Sequence, residues 1–155
     1  MFELSEILQP ECACCGIQVA SKKRAIECLS ELVAKVTGDI SQNQIFESLI
    51  ARERLGSTAI GHGVALPHGR IPHLPHPIAA ILRLPEGVDV GAPDDQPVDI
   101  LVALLVPENA DDEHLQYLAS LAKLLHEENF RHQLRQAKND TALYHIATEY
   151  HVPAE

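Results

Sequence analysis

Residues 98–106 read Val-Asp-Ile-Leu-Val-Ala-Leu-Leu-Val, a nearly continuous apolar run of strand length. Such a run is typical of a central strand that is buried on both faces of a sheet. A second apolar run occupies residues 78–84, and residues 91–97 between the two runs are rich in Gly, Pro and Asp. Because those residue types set turn geometry, we predict two strands separated by a loop at a sheet edge.

Helical patterns precede these strands. Ser21 can cap a first helix, Gly38 is suited to end it, and apolar residues recur at helical spacing between them. Residues 41–44, Ser-Gln-Asn-Gln, have the capping-box form and predict a second helix that runs to about Leu55 and stops at Gly56. For residues 1–20 we predict only a short irregular or extended lead-in.

Helical patterns also follow the strands. Asp111 and Asp112 are candidate N-caps of a third long helix, which we expect to break near Asn129, and Asp140 is the candidate cap of a last helix. The order of helices, strands and helices predicts an α/β fold, a single-domain sandwich with a small mixed β-sheet flanked by helices. A length of 155 residues, 46% of them hydrophobic, suits one compact domain.

Charge excludes several classes of function. The sequence has 12 Lys and Arg against 22 Asp and Glu, a formal net charge of -10. Most of the surface would repel nucleic acid or an anionic membrane. The sequence contains neither an apolar run of about 18 residues nor a basic stretch followed by a signal segment. We therefore expect a cytoplasmic protein that is not an integral membrane protein and has no nucleic-acid partner.

Cysteines and glycines form two further clusters. Cys12, Cys14, Cys15 and Cys28 lack the paired spacing of a metal site, and we expect free thiols in a reducing compartment. In residues 56–69, four glycines alternate with a short apolar run. This pattern predicts a turn, a short strand and then an exposed corner at Pro-His-Gly, residues 67–69.

A family resemblance is carried by residues 52–58, Arg-Glu-Arg-Leu-Gly-Ser-Thr, and residues 61–70, Gly-His-Gly-Val-Ala-Leu-Pro-His-Gly-Arg. This order resembles the enzyme IIA domains of the fructose, mannitol and nitrogen-regulatory branches of the bacterial phosphotransferase system. Residues 95–99 and 104–107, with His-Leu at the start of the following helix, resemble the nitrogen-regulatory members most.

The resemblance covers roughly residues 21–147 and implies that the whole chain is one enzyme IIA type-2 domain. It also implies a phosphotransferase with a phosphohistidine intermediate. The family's phosphorylated histidine aligns with His68, its active-site arginine with Arg52 and its second active-site histidine with His114. The implied phosphodonor is an HPr-like phosphocarrier protein, and the implied regulated partners are sensor kinases or potassium transport proteins. No cofactor or metal is implied.

The residue types suit these roles. A neutral imidazole is nucleophilic through one ring nitrogen when the other donates its N–H to a fixed acceptor, as we expect at His68. An arginine such as Arg52 offers forked donors to phosphoryl oxygens. His114 should lie in the first turn of the third long helix, where the helix dipole favours an anion by roughly 0.3–1 kcal/mol.

Alternatives remain at this stage. The core motif is shared by several branches, so the chain could instead be a sugar-uptake enzyme IIA that passes phosphate to a fructose- or mannitol-type IIB domain. His62, His73 and His76 form with His68 a histidine-rich stretch of a kind that can bind zinc. The prolines in residues 71–77 favour an extended backbone that does not converge imidazoles on one ion. The sequence does not say which nitrogen of His68 would take the phosphoryl group.

Overall fold

The computed structural model describes residues 3–110 and 112–152, and for Glu113 and His114 it describes the backbone alone. Within these residues the chain forms a 3₁₀ turn, six strands and five α-helices. In chain order they are the 3₁₀ turn Leu4–Glu6, β1 Leu8–Cys15, α1 Lys22–Thr37, α2 Gln42–Glu53, β2 Ala59–Gly61, β3 Val64–Ala65, β4 His68–Ile71, β5 Ile78–Val88, β6 Val98–Pro107, α3 Asp112–Leu125, α4 Glu128–Arg135 and α5 Asp140–Glu149.

The strands form one mixed sheet with the order β1-β5-β6-β3-β2. β3 pairs with the first half of β6, and β4 pairs with its second half. β6 is antiparallel to β5 and parallel to β3 and β4, while β1 is parallel to β5. Every residue of β6 is buried except the partly exposed Asp99 and Pro107, as the apolar run predicted. Helices α1 and α2 pack against β5, β1 and β4, and α5 packs against β1. The predicted α/β fold with helices flanking a small mixed sheet is confirmed.

The first strand is the main element that the sequence did not reveal. β1 lies at the sheet edge, and its Cys12 and Cys14 are buried. The Cys12 thiol donates to the Leu32 carbonyl of α1 at 3.2 Å. Burial is the main reason that the pKa of each of these two thiols is raised to about 11, so both stay protonated and pack as small apolar groups. All four cysteines are free.

Most predicted helix ends are close to the observed ones. The Ser21 and Ser41 hydroxyls accept hydrogen bonds from the amides three residues on, each at 3.1 Å. Gly38 ends α1 with a positive φ of 66°. Helix α2 ends at Glu53, two residues before the predicted end. The break between α3 and α4 falls at residues 126–127, slightly before Asn129.

The predicted cap of the last helix is wrong by one residue. The Asn139 Oδ1 atom accepts from the Ala142 amide at 2.8 Å and caps α5, whereas Asp140 is the first helical residue. The Asp140 carboxylate instead accepts from the backbone amide of Cys15, also at 2.8 Å, and so ties α5 to the end of β1. Of the two caps predicted for α3, Asp112 is its first residue and Asp111 lies outside the described residues.

The cap gives a stability prediction. Replacing Asn139 with Ala removes the acceptor of the Ala142 amide, and we expect a loss of about 1 kcal/mol in the free energy of unfolding. Urea denaturation followed by circular dichroism measures the change. Asn139→Asp keeps a cap oxygen and should stay near the wild-type value, and the exposed Thr141→Ala serves as the control. Equal stability of Asn139→Ala and Thr141→Ala would contradict the capping assignment.

Helix α2 lies close to the sheet at Gly69 in β4. The Ser48 hydroxyl donates to the Arg70 carbonyl at 2.9 Å, and a Cβ atom built on Gly69 would lie 2.2 Å from the Ser48 Oγ atom. From the sequence, this glycine was predicted only to be part of an exposed corner. The structure gives a reason for it, because glycine is needed here for the helix to pack against the strand.

We therefore expect Gly69→Ala to destabilise the fold by about 1–3 kcal/mol through overpacking. In a double-mutant cycle, Ser48→Ala removes the atom that clashes, so the double variant should lose less stability than the sum of the two single variants. Thermal unfolding of the four proteins measures the coupling. Strictly additive losses of stability would show that the contact with Ser48 is not the reason why a side chain at position 69 destabilises the fold.

Candidate functional site

His68 is the first residue of β4 and pairs with Leu104 of β6. The carbonyl of the buried Pro67 accepts from the Leu104 amide at 2.9 Å, which fixes the chain just before the histidine. His68 itself is half-buried. The predicted exposed corner is therefore wrong in part, because residues 67–69 enter the sheet instead of turning away from it.

One ring nitrogen of His68 is fixed by the backbone. The Nδ1 atom lies 2.9 Å from the Leu66 carbonyl oxygen. Because a carbonyl can only accept, Nδ1 carries the proton in this contact, and in the neutral ring the lone pair is on Nε2. The hydrogen bond therefore sets both the tautomer and the orientation of the imidazole.

The surroundings lower the pKa of His68 from its ordinary value. Burial is the largest cause and the nearby Arg52 charge adds to it, while the Leu66 hydrogen bond and the Glu53 charge act in the opposite direction. As the pH falls through about 6.5, the His68 imidazole is protonated in the unfolded chain before it is protonated in the folded chain. The contribution of His68 to the free energy of unfolding is therefore fully present above a pH of about 6.5. It is lost as the pH falls from there towards the lowered pKa of the folded state. At neutral pH the ring is mainly neutral.

Arg52 acts electrostatically on His68, since its charge contributes to the lowered pKa of the histidine. Arg52 lies in the last turn of α2 and donates through Nη1 to the Gly56 carbonyl at 2.9 Å. A guanidinium group has five N–H donors, so this contact fixes the side chain without exhausting its donors. The third predicted residue, His114, has its backbone in the first turn of α3, as expected, but its side chain lies outside the described residues.

Sequence reasoning missed Glu53, whose carboxylate is buried beside the site with only 5% of the residue exposed. It accepts from the Thr58 hydroxyl at 2.7 Å and from the Thr58 amide at 3.1 Å, and the Lys22 Nζ atom lies 3.6 Å from it. Glu53 therefore holds the Gly-Ser-Thr loop against the end of α2. An acid between two arginines, five residues before a threonine, was the available signal.

Arg70 is a second residue that the sequence did not single out. Its Nη1 atom donates to the Glu108 carbonyl at 3.1 Å and also to the Ala110 carbonyl. These carbonyls belong to the segment that leads from β6 into α3. Arg70 therefore connects the strand of His68 to the start of the helix that carries His114.

The other histidines have separate surroundings. His62 and Gly63 both have positive φ, 60° and 77°, as the two central residues of a type I′ hairpin turn require. The His62 carbonyl accepts from Arg135 at 2.6 Å, and the Arg135 guanidinium also grips the Asp99 carboxylate at 2.9 and 3.0 Å. His73 and His76 are exposed. Within the described part of the chain, no three His, Cys, Asp or Glu side chains are arranged to hold a metal ion.

The proximity of Arg52 gives a testable titration. Replacing Arg52 with Gln removes a positive charge that disfavours the imidazolium, so the pKa of His68 should rise. Two-dimensional NMR of the imidazole resonances across pH 4–9 measures it, with the range chosen to bracket the ordinary value of about 6.5. Arg54→Gln removes an equal charge from an exposed neighbour and should leave the midpoint closer to the wild-type value. Equal shifts in both variants would contradict a specific contribution from Arg52.

The chain is similar to known proteins over nearly its whole length. The family model described as "Phosphoenolpyruvate-dependent sugar phosphotransferase system, EIIA 2" matches residues 6–150. The "Nitrogen regulatory protein" of Pseudomonas aeruginosa is 42% identical over 149 residues, which are 96% of this chain and 97% of the relative. The "PTS system fructose-specific EIIA component" of Haloferax volcanii is 31% identical over 130 residues, 84% of each chain.

A solved structure supports the same assignment. The crystal structure of the nitrogen regulatory protein IIA-Ntr from Neisseria meningitidis superimposes with a TM-score of 0.85 at 38% identity, covering 94% of this chain and 99% of that one. Among the described residues, no helix has the length and apolar character needed to cross a membrane. The chain therefore belongs to the EIIA 2 family of the phosphoenolpyruvate-dependent sugar phosphotransferase system, and it is similar over nearly its whole length to the nitrogen regulatory proteins.

Proposed function

We propose that the chain is a phosphocarrier of the nitrogen-regulatory phosphotransferase branch and acts as a single enzyme IIA domain. His68 accepts a phosphoryl group from an HPr-like phosphohistidine carrier protein. One observation carries the proposal. The His68 ring is held through Nδ1 by the Leu66 carbonyl, at the start of a strand and close to Arg52.

The transfer is a direct displacement between two histidines. The Nε2 lone pair of His68 attacks phosphorus, the P–N bond of the donor phosphohistidine breaks, and its electron pair returns to the donor imidazole. Because Nε2 of the neutral tautomer carries no proton, the acceptor ring loses none. The chain contributes mainly positioning and charge stabilisation, which is what phosphoryl transfer requires.

Two neighbours have proposed roles. Arg52 donates to the phosphoryl oxygens and offsets the added negative charge. His114 hydrogen-bonds the transferred group from the first turn of α3, where backbone amides and the helix dipole also favour an anion. Support for His114 comes from the family resemblance and from the contacts of Arg70, which tie β4 to the segment before α3.

The proposed output is regulatory. The phosphorylation state of His68 selects partner proteins such as sensor kinases or potassium transport proteins. This part of the proposal is supported by the nitrogen regulatory relatives, one of them 42% identical. A pull-down with phosphorylated and unphosphorylated wild type, and with His68→Ala, would compare the partner sets. Identical sets would argue against regulation by phosphorylation.

Phosphorylation itself can be tested directly. The purified chain is incubated with phosphoenolpyruvate, the upstream kinase and the HPr-like carrier, and the intact mass is measured. We expect a gain of one acid-labile phosphoryl group, located at Nε2 of His68 by ³¹P NMR. His68→Ala should gain none, whereas His73→Ala, which removes an exposed histidine nearby, should be labelled like the wild type. Arg52→Gln should slow labelling at least about tenfold.

Labelling of His68→Ala at the wild-type level would exclude His68 as the acceptor. A signal at Nδ1 would contradict the tautomer set by the Leu66 carbonyl.

A sugar-uptake enzyme IIA is the second candidate. It is favoured by the fructose-specific relative at 31% identity. In this case the phosphoryl group would pass from His68 to a fructose- or mannitol-type IIB domain. Mixing the phosphorylated chain with such a purified domain, and following loss of the label from His68, separates the two candidates. Rapid transfer would favour sugar uptake, and retention of the label would favour the regulatory role.

A further inference from the structure

Positive charge is concentrated at one corner of the fold. Five of the 12 lysines and arginines in the sequence lie in two segments, Lys-Lys-Arg at residues 22–24 and Arg-Glu-Arg at residues 52–54. The ion pair between the Lys22 Nζ atom and the Glu53 carboxylate, 3.6 Å long, brings the start of α1 to the end of α2. Two segments about thirty residues apart in sequence thus supply cations to the same place.

Two of these cations have no ion-pair partner among the described residues. Lys23 and Arg54 are exposed, and neither forms an ion pair within residues 3–110 and 112–152. Lys23 also lies in the first turn of α1, where the helix dipole disfavours a positive charge. Folding therefore gains nothing evident from this charge.

Neighbouring acidic residues do not cancel the positive charge of this corner. Arg24 is paired with Glu31 at 3.4 Å, so we do not count it among the cations of the corner. Glu53 is buried and pairs with Lys22, so these two charges offset each other, whereas Lys23, Arg52 and Arg54 form no ion pair within the described residues. An apolar group is present as well, because Leu55 follows Arg54 directly and is 84% exposed, the largest exposure among the exposed large hydrophobic residues described. We call Lys22, Lys23, Arg52, Arg54 and Leu55 the basic corner.

The charge of the whole chain restricts what can bind there. With a net charge of -10, the surface beyond the corner repels a long polyanion such as nucleic acid. A short acidic segment would contact the cations without crossing the acidic surface. An apolar side chain within such a segment would cover Leu55.

We infer that the basic corner is a docking site for a short acidic segment of a partner protein that also places an apolar side chain on Leu55. The inference goes beyond phosphoryl transfer and does not depend on it. Because Arg52 lies near His68, a partner held there would rest beside the proposed phosphorylation site. Lys23 and Arg54 have no assigned part in the chemistry, so they can be changed without removing the proposed acceptor.

The test uses a defined probe, a fluorescent eight-residue peptide of Asp and Glu around a central Leu. Its affinity for the full chain is measured by fluorescence anisotropy at low ionic strength. We expect the Lys23→Glu, Arg54→Glu double variant to weaken binding about tenfold or more, because it turns two attractions into repulsions. Binding by the wild type should also weaken as salt is raised.

A matched double variant controls for net charge. Lys123→Glu with Lys138→Glu changes the total charge equally but at exposed positions in the α3–α5 part of the chain, and it should bind nearly like the wild type. Leu55→Ser should weaken the Leu peptide more than a peptide with Ser at its centre. Circular dichroism and phosphorylation of His68 report whether each variant remains folded and competent.

Several outcomes would overturn the inference. An equal loss of peptide affinity in the two double variants would mean that binding depends only on the net charge of the chain. Equal affinity for a peptide with Gln in place of the acids, or tighter binding of a short RNA than of the acidic peptide, would also contradict it. If the wild type binds the peptide as expected but His68 is not phosphorylated by the carrier, the proposed function alone is contradicted.

Discussion

The buried carboxylate of Glu53 is the interaction on which the candidate site depends. It lies at the end of α2, accepts two hydrogen bonds from Thr58 and pairs with Lys22 at the start of α1. A carboxylate with this little exposure is costly unless its oxygens are satisfied, so these contacts must form together. The result is a fixed junction of two helices and the Gly-Ser-Thr loop. Arg52, one residue before Glu53, receives its position from that junction.

β6 provides the second constraint. It is the buried central strand, and β3 and β4 both pair with it in parallel along its length. The short interval between those two strands contains Leu66 and Pro67, whose carbonyls accept from the His68 ring and from the Leu104 amide. The sheet therefore fixes the backbone on both sides of the histidine. The fold itself therefore orients the imidazole.

Much of this could be predicted from the sequence because the signals were local. The apolar run of β6, the serine caps of α1 and α2 and the glycine at the end of α1 each act within a few residues. β1 was missed because its burial depends on α1 and β5, and its apolar and polar residues do not alternate clearly. The cap of α5 was placed one residue late because Asn139 and Asp140 are both good caps, and only the contact with Cys15 distinguishes them.

The candidate site shows the same division. His68, Arg52 and His114 were named from a motif, and the sequence could order them along the chain but not give their contacts. Glu53 was missed because its pairing with Lys22 joins residues distant in sequence, and Ser48 and Arg70 were missed because they bind backbone carbonyls far along the chain. Gly69 was assigned to an exposed corner, whereas its lack of a side chain lets α2 pack against β4.

The Arg52 charge would favour both states of the proposed transfer. Before transfer, burial and the Arg52 charge keep the His68 imidazole neutral, the form that can attack phosphorus. After transfer the phosphoryl group on Nε2 would carry about two negative charges, and the same guanidinium would stabilise them. Glu53 opposes Arg52 in both states, but Lys22 and Thr58 compensate its charge. A single cation, placed by a buried carboxylate, can therefore favour both the nucleophile and the product.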